Sequence, residues 1–308
     1  MEKLKSDFKI VQSFWSKPII KHKDLSNLTE KVHRKNGGWL SDDIFYMSCA
    51  LSCLKLKEFY NNVELVTDDI GKKILIDELK LPYTSVRTDL ENIKELSEEL
   101  WAMGKLIAYS VQNEPFLHVD NDVFIWKPFN EMILSSDFIV QNAESEIEFG
   151  KNLCQDIYNN FEGFTPELLV YTKNGGMIGN TSSYNFGVFG GNNINFIKFY
   201  VDFVFDFIKK NDKNLSKVMT GALSIYLEQG IFHQLSNQYN MKVKELYEGI
   251  RNFAFFYQFE KIPEISYIHT LGGAKRNSII NEQVYLNLLN EYPIYHSRIL
   301  KLANKNFF

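Results

Sequence analysis

Pro115-Phe116-Leu117-His118-Val119-Asp120-Asn121-Asp122-Val123 is the stretch on which the fold turns. Pro115 to Val119 has the length and apolar character of a short buried strand, and it runs straight into two aspartates one residue apart. Upstream, Ile93, Leu96, Leu100, Met103 and Ile107 recur at spacings of 3 and 4, which predicts a helix leading into that strand. Before it, Val63 to Thr67 reads as a strand stopped by Asp68-Asp69. Ile44, Met47, Leu51 and Leu54 read as a helix with one buried stripe. Phe8 to Trp15 opens the chain as a strand and ends at the turn signal Ser16-Lys17-Pro18. Strand, helix, strand, helix, strand implies parallel crossovers, hence an α/β fold with a doubly wound sheet and helices on both faces. Such sheets bind ligands beyond the carboxyl ends of their strands, where Asp120 and Asp122 fall.

Downstream, Ala143 to Ser183 is the least regular long stretch, with Gly163, Gly175, Gly176 and Gly179. Phe186 to Phe189 predicts a strand, and Phe196, Phe199, Tyr200, Phe203 and Phe207 predict a helix face. A helix from about Lys217 to Gln234 follows, then strands at Lys242 to Leu246 and Ile265 to His269. The end, Ser297 to Phe308, reads as a short helix packed on the domain, or as a basic and apolar segment resting on a membrane surface. No repeat, low-complexity tract or linker interrupts the chain, so one continuous domain over 1–308 is expected.

Composition narrows the function classes. A formal charge of −4 gives no electrostatic reason to bind nucleic acid and favours small molecules or neutral glycans. Cys49, Cys53 and Cys154 are too few for a disulfide framework or a four-cysteine zinc site, and the Cys49–Cys53 pair on a helix reads as packing. Met1 to Asp7 lacks the apolar core of a signal peptide, and no run approaches the ~18 apolar residues of a membrane span. A cytoplasmic protein is the expectation. No G-x-G-x-x-G or G-K-[ST] loop occurs, which argues against dehydrogenase and kinase-like readings.

Two segments carry chemistry. Asp120 and Asp122 can reach one cation, which relieves the repulsion of two close carboxylates; hard divalent ions prefer such oxygen ligands and bridge substrate phosphates. Asp-Asn-Asp is also an ordinary turn sequence, and on its own the motif leaves both readings open. The second segment is Tyr267-Ile268-His269-Thr270-Leu271-Gly272-Gly273-Ala274-Lys275. His269 is a possible third metal ligand, and imidazole suits Mn²⁺ better than Mg²⁺. Gly272 and Gly273 let backbone N–H groups approach phosphate oxygens, and Lys275 adds a point charge. A buried histidine and a surface lysine are the commoner fates of such residues singly. Gln229 falls in an apolar row with Val218, Ala222, Ile225 and Phe232, where a buried amide must bond backbone or a polar ligand.

Together "FLHVDNDVFIW" and "HTLGGAK" resemble the D-x-D and H-x-x-G-x-x-K signatures of GT-A-fold glycosyltransferases, especially the retaining galactosyl/glucosyltransferase group called family 8. Tyr184-Asn185-Phe186-Gly187-Val188-Phe189 is similar to that group's N-x-G-V strand, and Glu228-Gln229 stands where it has Asp-Gln. The resemblance runs from about Phe8 to Lys275. It departs at Arg276-Asn277, where the group has Pro-Trp, and at Glu228, longer by one methylene than the family's Asp.

The resemblance implies metal-dependent transfer of a sugar from a nucleoside diphosphate, with UDP-hexose favoured, to a glycan, lipid-linked or protein acceptor. It implies a nucleotide-binding half at 1–125 and a sugar and acceptor half at 126–308. Asp120, Asp122 and His269 would hold Mn²⁺ in preference to Mg²⁺, and Lys275 would neutralise phosphate. Asn121, Asn185, Gly272 and Gly273 would join the donor site. From their places at strand ends, Gln12 and Ser13 are candidates to touch base or ribose, and so are Thr67 and Asp68, whose alternative is a turn cap. Lys105 would sit near the sugar or phosphates, its alternative being a solvated lysine. Gln229 and Glu228 would line the sugar side, with retention favoured. A sugar-nucleotide pyrophosphorylase shares fold and metal, but Gln12 to Pro18 lacks the glycine-rich loop that holds a triphosphate. A non-catalytic nucleotide-sugar-binding protein is the other alternative.

Overall fold

A computed structural model describes residues 5–21, 35–145, 150–218 and 221–304. The strands are β1 (Lys9–Phe14), β2 (Val63–Thr67), β3 (Ser85–Arg87), β4 (Phe116–Val119), β5 (Val123–Ile125), β6 (Phe138–Glu144), β7 (Ser183–Gly191), β8 (Val243–Glu245) and β9 (Tyr267–His269). The principal sheet has the order β3-β2-β1-β4-β7-β6-β8, and β5 pairs with β9 in a separate ribbon. β1 and β2, β2 and β3, and β6 and β8 are parallel, whereas β6 and β7 are antiparallel. The chain is thus α/β with a mixed sheet. Its 3-2-1-4 run is the doubly wound order, with the reversal beside β1.

Chain contacts divide the protein into two compact units, neither continuous in sequence. The first comprises Met1–Lys94, Val119–Phe129 and Asn252–Phe308; the second comprises Glu95–His118 and Asn130–Arg251. The first is built on the helix Asp42–Phe59, whose first turn carries Asp42 and Asp43 against the positive end of the helix dipole. The expected single stripe understates its burial, because Ile44 through Leu56 are buried on every face. Helices Ser278–Glu291 and Pro293–Ala303 supply the additional cover, with Ile280, Val284, Leu288, Ile299 and Leu302 in the same core. Cys49 and Cys53 are free thiols in that core, and burial pushes Cys53 up to about 12. Ile299 and Leu302 realise the packed closing helix; residues 305–308 of the expected segment lie outside the described residues.

In the second unit the aromatic richness becomes a core. Phe232 meets Phe138, Phe186, Phe189 and Tyr200 edge to face, the ring of Phe189 at 4.9 Å. The expected helix over Ile93 to Ile107 breaks into 3₁₀ turns Asp89–Ile93 and Glu98–Leu100 and the helix Met103–Ser110. Ser97 is the reason, because its hydroxyl accepts the Glu99 N–H and starts a new turn. Ala143 to Ser183, read as irregular, contains the helices Gly150–Asn160 and Pro166–Lys173, the latter capped by Thr165. The expected helix over Lys217 to Gln234 passes through a π turn, Tyr226–Gly230, before the helix Ile231–Gln238. The wider turn shifts the faces, so that Glu228 is wholly buried while Gln229 is half-buried.

Buried His233 packs edge-on against Tyr184 at 5.0 Å, and burial lowers its pKa from 6.5 to about 4. A histidine depressed in the folded state binds its proton first in the unfolded chain. Its stabilising contribution is therefore complete above the unfolded value and is lost as pH falls through 6.5 toward 4. We expect wild type to lose more stability between pH 7 and 4 than His233→Gln, by on the order of 3 kcal/mol, read by urea unfolding at each pH. Equal losses would show that this histidine does not carry the acid sensitivity.

Candidate metal centre

The first unit's chemistry is assembled by a turn and a ribbon. After Val119 the chain reverses through Asp120-Asn121-Asp122, closed by Val123 N–H on the Asp120 carbonyl at 3.1 Å. β5 then pairs with β9 so that Val123 faces His269. Thr270 seals the junction, its N–H and Oγ1 donating to the Asp122 carbonyl at 3.1 and 3.2 Å. The ligand atoms of Asp120, Asp122 and His269 consequently lie within 4.8 Å of one another. His269 Nε2 is 3.4 Å from Asp122 Oδ1, and Lys275 Nζ is 2.6 Å from Asp122 Oδ2.

Side chains that sequence reasoning missed hold this turn. On helix Asp42–Phe59, Ser48 Oγ donates to the Asn121 carbonyl at 2.9 Å, and Ser52 Oγ to the Val123 carbonyl at 2.7 Å. The signal was present as two serines four residues apart within an apolar helix. Gln12 completes the brace, its Nε2 donating to Ser52 Oγ at 2.9 Å while its Oε1 accepts from Tyr83 at 2.9 Å. Asn121 Nδ2 donates to the Ser13 carbonyl at 2.7 Å, tying the turn to the end of β1. Its buried Oδ1 meets no donor among the described residues. Ser52→Ala strips the donor from Val123 and the acceptor from Gln12. An expected 1–3 kcal/mol of stability is lost, with weaker metal affinity measured by calorimetry.

Lys275 arrives on the 3₁₀ turn Gly272–Arg276, entered through Gly272 at φ +44°, a left-handed conformation that favours glycine. Asn281 Nδ2 donates to the Lys275 carbonyl at 2.6 Å and fixes the turn, and the Trp39 ring lies 6.0 Å from Lys275 Nζ. A Cβ on Gly273 would meet nothing within 4 Å among the described residues, so they do not demand a glycine there.

Burial alone would push the Asp122 carboxyl up, but the Lys275 ammonium and the His269 imidazole outweigh it and hold it well below the usual carboxylate range. An ionised Asp122, a second carboxylate and an imidazole make a donor set that fits a divalent ion, and the lysine beside it supplies charge for an anion.

The other expected residues have different surroundings. Gln12 is buried with donor and acceptor engaged internally, as just described, so it braces the turn. Buried Thr67 donates to the Phe14 carbonyl at 2.6 Å. Asp68 accepts from Gly71 N–H at 2.7 Å and from Ser16 N–H and Oγ at 2.8 and 2.7 Å, which makes it a cap. A Cβ on Gly71 would come within 2.1 Å of Thr67 Oγ1, so this corner accepts only glycine.

Within the second unit, Lys105 is neither solvated nor exposed. Its Nζ lies 2.9 Å from Glu228 Oε1 and donates to the Phe186 carbonyl at 3.1 Å, and Tyr109 donates to Glu228 at 3.0 Å. Asn185 bridges Glu144 Oε1 at 2.8 Å and Gly187 N–H at 2.9 Å.

Among solved structures, the chain is similar to mouse xyloside xylosyltransferase 1 at 9% identity and a TM-score of 0.42, over 86% of this chain and 97% of that one. It is similar to the inositol-1-phosphate CTP transferase of T. maritima at 12% identity and 0.36, over 96% and 98%. With the glycosyltransferase GlyE of Streptococcus pneumoniae the values are 10% and 0.41, over 98% of this chain but 64% of GlyE. No curated protein matches. The model of the family of unknown function DUF6734 matches residues 8–302, and the chain belongs to that family.

Proposed function

We propose that the protein is a metal-dependent glycosyltransferase that uses a nucleoside-diphosphate sugar. The convergence of Asp120, Asp122 and His269 within 4.8 Å, with Lys275 on Asp122, carries the reading. When bound, a divalent ion supplies Lewis-acid stabilisation of the charge that grows on a departing diphosphate. Lys275 neutralises phosphate oxygen from a turn anchored by Asn281, and the Asn121 acceptor is left for donor hydroxyl groups. Mn²⁺ is favoured over Mg²⁺ by the imidazole ligand, and UDP-hexose and retention by the resemblance of the motifs.

The acceptor is a glycan, a lipid-linked sugar or a protein, and the proposed place of action is the cytoplasm or the adjoining membrane surface. Among the described residues no helix is long and apolar enough to cross a membrane. On the helix Pro293–Ala303, exposed Ile294 and Lys301 are the groups that would meet such a surface.

The test is a panel of nucleotide-sugars assayed for thermal stabilisation and nucleotide release with Mn²⁺, Mg²⁺ or chelator. A donor at ~100-fold its Kd should add about 2.7 kcal/mol of apparent stability, in the presence of metal only. Stabilisation without turnover would favour a binding protein, and pyrophosphate-dependent nucleotide triphosphate formation a pyrophosphorylase. No response to any nucleotide-sugar would end the reading.

A further inference from the structure

The second unit carries a cleft of about 550 Å³ between helices Pro166–Lys173 and Ile231–Gln238, with Met177 and Ile178 in its lining. Gln234, Asn237 and Gln238 present three amides from one face of the second helix, because spacings of 3 and 4 align on a helix surface. Opposite them stand Tyr171 and Val170, the latter 57% exposed. Gln234 is 2% exposed, and its Nε2 donates to Gln238 Oε1 at 3.0 Å, but its buried Oε1 meets no donor among the described residues. A buried acceptor of this kind is costly until something donates to it.

The geometry points to a binding site for a neutral saccharide in this cleft, with Gln234 Oε1 accepting from a sugar hydroxyl. Uncharged amides both donate and accept, as a polyhydroxy ligand requires, while Val170, Met177 and the Tyr171 ring can cover its C–H faces. Among the described residues no lysine or arginine lines the cleft and Glu167 does, which disfavours phosphate- or carboxylate-bearing ligands. Among the described residues no strand lines it either, so an extended peptide finds no ladder there to join. The site stands on its own residues, beyond the donor chemistry proposed above, and asks nothing of the metal centre.

The test uses the full chain labelled with ¹³C at methionine methyl groups, kept in chelator, and titrated with neutral trisaccharides of glucose, galactose and N-acetylglucosamine in α and β linkage. At least one should shift the Met177 resonance saturably with a millimolar Kd. Gln234→Leu should weaken it about tenfold, the equivalent of one good hydrogen bond. Val170→Lys, at an exposed position, should block the cleft without burdening the fold. The proposal is overturned if no saccharide moves Met177, if both variants bind like wild type, or if only a peptide or an anion moves the signal. Because metal is absent throughout, failure here leaves the glycosyltransferase reading untouched.

Discussion

Asp122→Asn should lower metal-dependent turnover of the donor by about 10²–10³-fold, the loss typical of removing one electrostatic anchor from a site of this kind. Asp122 is the residue on which the centre converges, with His269 Nε2 at 3.4 Å from one oxygen and Lys275 Nζ at 2.6 Å from the other. The amide keeps the shape but removes the charge that a cation needs. Metal-dependent stabilisation by nucleotide-sugar should vanish together with turnover. Lys275→Ala should instead keep metal binding, measured by calorimetry, and weaken the diphosphate-dependent step. Turnover by Asp122→Asn equal to wild type would remove the basis for the proposed metal site.

Lys105→Met should cost about 3–5 kcal/mol of stability, because it leaves the Glu228 carboxylate buried without its counter-charge. Glu228 is fully buried and Lys105 is 8% exposed, so water screens little of the effect. The double variant Lys105→Met/Glu228→Leu removes both charges and should recover much of the loss, since apolar replacements of buried pairs are often neutral. A double-mutant cycle by urea unfolding measures the coupling. If each single variant lies within about 1 kcal/mol of wild type, the pair is better hydrated than its burial implies.

Period and composition made much of the fold legible. β1, β2, β4, β7, β8 and β9 overlap the segments read as strands, because apolar runs bounded by turn residues mark them directly. β3, β5 and β6 escaped that reading, and so did helix Ser278–Glu291. That helix has no sharp apolar side for a period to reveal. The π turn was unreadable for a related reason. A period of 3.6 assigned the inner face to Gln229, whereas the widened turn buries Glu228 instead.

At the metal centre the division is sharper. The sequence by itself determined the strand that runs into Asp120-Asn121-Asp122, and the spacing that brings Lys275 one short turn after His269, because local chemistry dictates both. Only the tertiary structure decided that these segments meet. The β5–β9 pairing sets Val123 opposite His269, while Ser48, Ser52 and Gln12 fix the turn from other elements. Pairing register and long-range hydrogen bonds depend on how distant segments pack, and no local pattern in one strand encodes its partner.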